Sequence, residues 1–337
     1  MNKSIYFALP ILVMVAACGG GTTPDFDQQN VNFANQNQNG NNNGGFVDDV
    51  AVDTIVDLIN NSNGTSIVVN VYSTETSTAL SGTKFNTDDT TTVAISKDAF
   101  GSVVLTVNVF GETLTLTESD LVAGATNTYI VDQNGSEFLI EVVGVPSFYD
   151  VYDGTAATEY SVAFNIEKTP LDGSYEGYET ASGVFGSETP ASQLPTSYVT
   201  ASYDGIWRGM ASFTDQVEAP MAFESDAALY INFGSDDFWG DLKDMKYWNS
   251  YTEQWEVAAV FPDLKMTKLE FNDGHIAAKL SDAGTCGVGC LDFLDGGADV
   301  TLYGPNAEEA AGMAYASYSS SLTGSLLFLN GAIATKK

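Results

Sequence analysis

Residues 298–335 read ADVTLYGPNAEEAAGMAYASYSSSLTGSLLFLNGAIAT, and they set the fold class of the chain. Three strand-like runs, 298–303, 311–318 and 322–334, succeed one another with only short Gly, Pro and Ser breaks between them. The last run is long, holds Gly324 and Gly331, and ends almost at the end of the chain. Glycine inside a strand weakens it unless the sheet must coil sharply there, as it does at the corner of a barrel. Gly304-Pro305 stops the first run, and Asn306 is placed to cap the next turn. The spacing then permits one short helical turn over Ala307 to Ala311, with Glu308 near its positive end, before Gly312 restarts a strand. Such a turn would plug one barrel end. Glu308 and Glu309 make a poor acid/base pair, because neighbours on a turn point in different directions.

Upstream, strand signals recur at short intervals from Tyr198: 198–204, 206–213, 227–233, 240–248, 255–260, 266–271 and 275–280 precede the three runs above. Spacing this close favours a barrel or sandwich over a βαβ fold. The first half is also β-rich. Ile67 to Tyr72 alternates as a strand, Val103 to Phe110 pairs with Glu112 to Thr117 across Gly111, and Thr128 to Val131 pairs with Glu137 to Val143. Between the last two runs lies Asn134-Gly135, a strong signal for a tight hairpin because a type I′ turn needs φ > 0 twice. No long amphipathic helix is legible. The chain reads as all-β, with a β-rich first domain over 46–150, a connecting segment over 151–193 and a C-terminal barrel over 194–337.

The N-terminus carries an address. Lys3, the apolar run Ile5 to Val15, and Val15-Ala16-Ala17-Cys18 form a secretory signal over 1–17 with a cysteine at the cut, which is a bacterial lipoprotein signal. Cys18 is the expected lipidation site, carrying palmitoyl-type chains. Each buried CH₂ contributes ~0.8 kcal/mol, so two or more chains hold a protein at a membrane almost permanently. Gly19 offers no aspartate-type retention cue, which favours the outer membrane. Residues 18–45 are a Gly/Asn/Gln tract too poor in apolar groups to order itself. As a flexible coil this tether spans roughly 25–30 Å on average and about 85 Å when stretched.

The chain carries 44 Asp and Glu against 12 Lys and Arg, a net charge of −32, and Arg208 is its single arginine. Nucleic-acid binding is excluded as an expectation, since that needs clustered Lys and Arg to displace counterions. With 12% aromatic and 44% hydrophobic residues, most of the chain has the means to bury a core.

Candidate chemistry is sparse. Cys286 and Cys290 bracket Gly287-Val288-Gly289, and in an oxidising exterior they are expected to form a disulfide. Metal binding lacks nearby histidines, because His275, in the turn Asn272-Asp273-Gly274-His275, is the only one. No P-loop, dinucleotide fingerprint or His-Glu-x-x-His motif is present, so no cofactor, metal or enzymatic activity is expected. Aromatic residues crowd into 235–262, where Trp239, Trp248, Tyr251 and Trp255 are the candidate ligand-binding residues. Trp and Tyr dominate interface hot spots, and inward-facing core filling is the competing account of the same residues.

Tyr303-Gly304-Pro305-Asn306-Ala307-Glu308-Glu309-Ala310-Ala311-Gly312 resembles the "F/Y-G-P-N-A-x-E-x-x-G" signature of the C-terminal barrel in transferrin-binding protein B-like surface lipoproteins. Leu194-Pro195-Thr196-Ser197 with Thr200 to Gly205 is similar to the family's "P-x-S-G-x-A-x-Y-x-G" opening strand, save that Tyr198 stands where glycine is usual. Ala227 to Phe233 resembles the strand that comes after it. The resemblance covers about 190–337 and implies an eight-stranded antiparallel barrel beside a β-rich handle, on a lipid-anchored protein displayed at the cell surface. Ten strand runs exceed eight, so some must be bent strands or loop hairpins. The resemblance further implies an extracellular partner, a protein or small molecule such as haem or an iron carrier. A transferrin receptor of this family normally has two such lobes, which argues against transferrin itself. A structural or adhesive surface lipoprotein without a solute ligand is the alternative.

Overall fold

A computed structural model describes residues 67–69, 72–77, 84–86, 92–97, 103–123, 128–143, 158–172, 178–196, 200–213, 221–249, 252, 254–284, 291–319 and 326–337. Among these the chain is all-β, with no α-helix. Cys18, the tether, Tyr251, Cys286 and Cys290 lie outside the described residues.

The first domain packs two sheets. One runs in the order β1 (Ile67–Val69), β4 (Thr92–Lys97), β5 (Val103–Val109), β6 (Glu112–Leu116). The other runs β3 (Lys84–Asn86), β2 (Tyr72–Ser77), β10 (Glu179–Gly186), β9 (Ser161–Pro170), β8 (Ser136–Val143), β7 (Thr128–Gln133). Val107, Leu114 and Leu116 of the first sheet meet Phe138, Ile140, Phe164 and Ile166 of the second in one core. The hairpins fall where the turn residues place them. Phe110 and Gly111 both have positive φ between β5 and β6, as do Asn134 and Gly135 between β7 and β8. The stretch 151–193, read from sequence as a connection, instead supplies β9 and β10 at the middle of the six-stranded sheet. Long-range pairing with β8 and β2, invisible in a local window, decides this.

The second domain is a closed barrel of eight strands: β11 (Thr200–Phe213), β12 (Met221–Asn232), β13 (Asp237–Asn249), β15 (Leu264–Asn272), β16 (His275–Asp282), β17 (Asp292–Tyr303), β18 (Glu309–Ser319) and β19 (Leu326–Lys336). Pairing of β11 with β19 and of β12 with β13 completes the ring. The expected pair 198–204 and 206–213 is one fourteen-residue strand that runs through Gly205. The remaining extra run is β14 (Gln254–Val257), which pairs only with the protruding end of β13. Ten runs thereby reduce to eight barrel strands and one hairpin arm.

The barrel interior is filled. Tyr203, Trp207, Phe223, Leu229, Phe238, Leu264, Leu280 and Leu329 belong to one buried cluster, with Trp207 edge-on to Phe223 at 4.6 Å between ring centroids. Eight strands enclose a space that side chains can fill. The outward positions of β13, β15 and β16 carry Trp239, Asp241, Lys243, Lys265, Thr267 and Lys279, the reverse of the apolar outer band of a membrane-spanning barrel.

The turn at 304–308 differs from the expected helical turn. Asn306 and Ala307 both take left-handed φ, at 58° and 54°, and β18 begins at once with Glu309. Ala307 is buried, and its carbonyl accepts the Tyr203 hydroxyl at 2.7 Å, which holds the turn against the barrel end. Glu309 is engaged in holding the backbone of the first domain. Fully buried, its carboxylate accepts the backbone N–H groups of Glu159, of Tyr160 at 3.1 Å and of Ser161 at 2.9 Å, plus the Ser161 hydroxyl at 2.8 Å. Burial pushes its pKa up, and these donors oppose that rise. One barrel side chain thus fixes the start of β9.

The two domains dock through two small apolar clusters. Val143 and Ala163 meet Ile206, Ala332 and Ala334, while Val184 and Tyr160 meet Tyr303 and Ala311. Asn165 stands at the centre of this contact: its Nδ2 donates to the Arg208 carbonyl at 2.9 Å, and its Oδ1 accepts from Ala332 N at 3.1 Å and from the Ser182 hydroxyl at 2.7 Å.

Candidate binding site

Alternation along β13 turns Phe238 and Leu242 into the barrel core and leaves Trp239, Asp241 and Lys243 outside. At Asp244, with φ of 52°, the strand breaks register, opposite an irregularity between Glu224 and Asp226 of β12. Met245 returns to the core, and residues 246–249 pair with β14, while Lys246 and Tyr247 still pair with Glu224 and Phe223 of β12 on their other edge. The bend converts a barrel strand into the base of a projecting hairpin.

Two of the candidate tryptophans share that hairpin. Trp248 lies directly across from Trp255, edge to face, with centroids 5.6 Å apart. On its other side Glu256 ties the hairpin together, accepting from the Tyr247 hydroxyl at 2.9 Å, Asn249 Nδ2 at 2.8 Å and the Thr252 hydroxyl at 2.9 Å. The Tyr247 bond is the foremost cause of a lowered Glu256 pKa. The chain here leaves apolar side chains in water: Val257, the last residue of β14, is 73% exposed, Val260 beyond the hairpin 47%, and Leu294, at the start of β17, 52%. Leu291 N donates to the Val260 carbonyl at 2.9 Å, so these segments meet at the same end of the barrel.

Trp239 is not part of this group. It sits nine residues before Trp248 on the same strand, about 30 Å away at strand rise, stacked on Tyr230 of β12. The four candidate residues therefore divide: Trp248 and Trp255 come together, Trp239 stands apart, and Tyr251 is outside the described residues.

Arg208 organises the hairpin's contact with the first domain. It is 3% exposed, its Nη2 pairs with Glu141 of β8 at 2.9 Å, and its Nη1 faces Glu224 of β12 at 3.7 Å. Its guanidinium carbon lies 5.0 Å from the centre of the Trp255 ring. Lys246 adds pairs to Glu224 and Asp226, each at 3.8 Å. Burial pushes the Glu224 pKa up, against the pull of Arg208 and Lys246. Handle, barrel and hairpin meet at one side chain. Composition held the only hint of this, a lone arginine in a chain of net charge −32.

Glu167 of β9 shares the barrel-facing side of the handle with Glu137 and Glu141, by alternation along paired strands. Burial first, then the like charges of Glu137 and Glu141, pushes its pKa up to about 7, opposed by hydrogen bonds from Thr169 and Tyr178. His275 is held by Glu188 at Nε2, 3.4 Å away, and by the Thr301 hydroxyl at Nδ1, 3.1 Å away. Thr301 is buried, so this array presents no nucleophile to a substrate. Among the described residues no group of three or more His, Cys, Asp or Glu is placed to hold a metal ion.

The fold and surface define a filled antiparallel barrel joined to a β handle, with its candidate chemistry on the outside. The chain is similar to the solved structure of intact Ap-TbpB (N and C lobes), with 14% identity over 79% of this chain and 46% of that one, at a TM-score of 0.44. It is similar to transferrin binding protein B from serogroup B Neisseria meningitidis, with 13% identity, 79% and 43% coverage and a TM-score of 0.40. It is also similar to HpuA from Kingella denitrificans in complex with human haemoglobin, with 10% identity, 82% and 89% coverage and a TM-score of 0.38. The chain spans about half the length of the intact Ap-TbpB structure and of the Haemophilus parasuis and Neisseria meningitidis transferrin binding protein B structures it matches. No protein-family model and no curated protein matches the chain.

Proposed function

We propose that this chain is a surface lipoprotein, anchored through Cys18 at the outer membrane, that captures an extracellular protein by the projecting β13–β14 hairpin. The observation that carries this reading is the exposed Val257 on the hairpin that pairs Trp248 with Trp255, with exposed Val260 and Leu294 on the segments joined by the Leu291–Val260 bond that follow it. Apolar side chains grouped at one end of a soluble domain, next to tryptophans, are the makings of an interface core. A filled barrel leaves no interior for a small solute, so a nutrient would arrive with its carrier, bound at the surface. The motif at 303–312 supports the same class of protein, and an iron carrier or haem-bearing protein is the ligand class it implies. The acidic surface, −32 overall, would repel anionic partners and favours a carrier with a neutral or basic face.

Haemoglobin, transferrin and free haem, titrated separately onto the immobilised mature protein, test this. Binding of a carrier protein that falls about tenfold or more in Val257→Asp and in Trp248→Ala, with unchanged melting temperature, supports it. Self-association of the protein without binding to any of the three would instead favour the adhesive role. Protease shaving of intact cells checks the location: loss of the β13–β14 hairpin without lysis is expected of an outward-facing module.

A further inference from the structure

On the barrel wall carrying β12, β13 and β15, away from the β18 and β19 faces that dock the handle, Trp239, near the start of β13, lies 41% exposed. It stacks on Tyr230, its cross-strand partner, with centroids 5.6 Å apart and planes 13° from parallel. Two nearly parallel rings on rigid, paired strands make a fixed aromatic plate.

The register sets polar groups around it. Thr267 is directly opposite Trp239 on β15, and Lys279 opposite Thr267 on β16. One step along the strands Asp241 faces Lys265. Thr267, Lys265 and Lys279 are exposed, and Asp241 is half-buried. Side chains opposite one another on a sheet are about 5 Å apart, and diagonal neighbours about 7–8 Å. An aromatic face is therefore bordered by hydroxyl, ammonium and carboxylate groups, donors and acceptors together.

We infer that the Tyr230–Trp239 plate is a binding site for a neutral saccharide. A pyranose ring has one face of C–H groups, which carry partial positive charge and suit the electron-rich face of an indole, and a rim of hydroxyls that both donate and accept. Other occupants fit less well. A protein interface needs an apolar core within about 1,000 Å² or more of buried surface, and here the exposed large apolar side chains of β13 and β15 are Trp239 and Leu269, among Asp237, Asp241, Lys265 and Lys279, too few for such a core. An anionic membrane or polyanion would meet Asp226, Asp237, Asp241 and Asp244 on β12 and β13 as well as the lysines.

The test uses the full-length protein on an array of immobilised neutral oligosaccharides built from glucose, galactose, mannose and N-acetylglucosamine. The expected result is retention of at least one glycan, about tenfold or more weaker in Trp239→Ala, less reduced in Trp239→Phe, and unchanged in Leu171→Ala, an exposed position of the handle. Binding should change little between roughly 0.05 and 0.5 M NaCl, because no charge is neutralised. Lys265→Ala, at an exposed position, should weaken the same glycan and keeps the test open if Trp239→Ala fails to fold. Failure to retain any neutral glycan overturns the inference. So does retention insensitive to both Trp239→Ala and Lys265→Ala, or salt-sensitive retention confined to anionic glycans or anionic vesicles.

Discussion

Glu309 and Glu167 show how much one carboxylate decides here. Glu309 accepts four hydrogen bonds from residues 159–161, and replacing it by glutamine would turn an amide NH₂ toward some of those donors. Glu309→Gln is expected to lower unfolding free energy by about 2–3 kcal/mol, measured by urea denaturation, since hydrogen bonds to charged groups carry that weight. Glu167 works in the opposite sense. Its folded pKa, raised to about 7 from 4.5, means the native state binds more protons than the unfolded state between those values. Stability from this group is fully present below about pH 4.5 and is lost as pH rises through about 7. Glu167→Gln is therefore expected to raise the melting temperature at pH 8, by about 1–3 kcal/mol of stability, and to change it little at pH 4.5. The glutamate of the 303–312 motif is legible in the sequence, but its partners are nearly 150 residues away, so its task was not.

The β13–β14 hairpin is the element on which the proposed function turns. It parts from β15 after Leu242, at the irregularity around Asp244, and is held to the handle by the Trp255–Arg208–Glu141 contact. Arg208→Met is expected to destabilise the protein by roughly 3 kcal/mol, the low end for breaking a buried pair, because Glu141 and Glu224 keep some water. Amide hydrogen exchange should quicken over 246–257 more than over β17 to β19, and unchanged exchange in the hairpin would contradict the anchoring. A close approach of strands elsewhere is just as exacting. A β-carbon at Gly312 would run into the carbonyl oxygen of Asp299 on β17, so Gly312→Ala is expected to disrupt β17–β18 pairing and lower the melting temperature by several degrees. Alternation of Trp, Asp and Lys in β13 was readable as a strand, yet the register break at Asp244 was not. That break separates Trp239 from the Trp248–Trp255 pair.

Across the whole protein, handle and barrel are joined by buried bonds at separated points, Asn165 at the centre and Glu309 at one end. Apolar docking between them falls in two small clusters, one of Val143, Ile206 and three alanines and one around Val184 and Tyr303, each burying little area beside the domain cores. The two domains are expected to melt as one transition in calorimetry. Asn165→Ala combined with Glu309→Gln should split it into two, and a single unchanged transition in the double variant would refute this coupling.

Local structure was legible in the amino-acid sequence without help: alternating runs make strands, Asn134-Gly135 and Asp273-Gly274 make tight turns, and Gly304-Pro305 ends a strand. These features depend on neighbours within a few residues, and so they are written locally. Composition likewise sets the acidic surface and the apolar content that fills a barrel. It took the folded chain to show that 161–170 and 179–186 belong to the handle sheet, that Arg208 lies beneath Trp255, and which tryptophans share a surface. Each of these arises from pairing between strands distant in the chain, where a single bulge redirects every side chain beyond it.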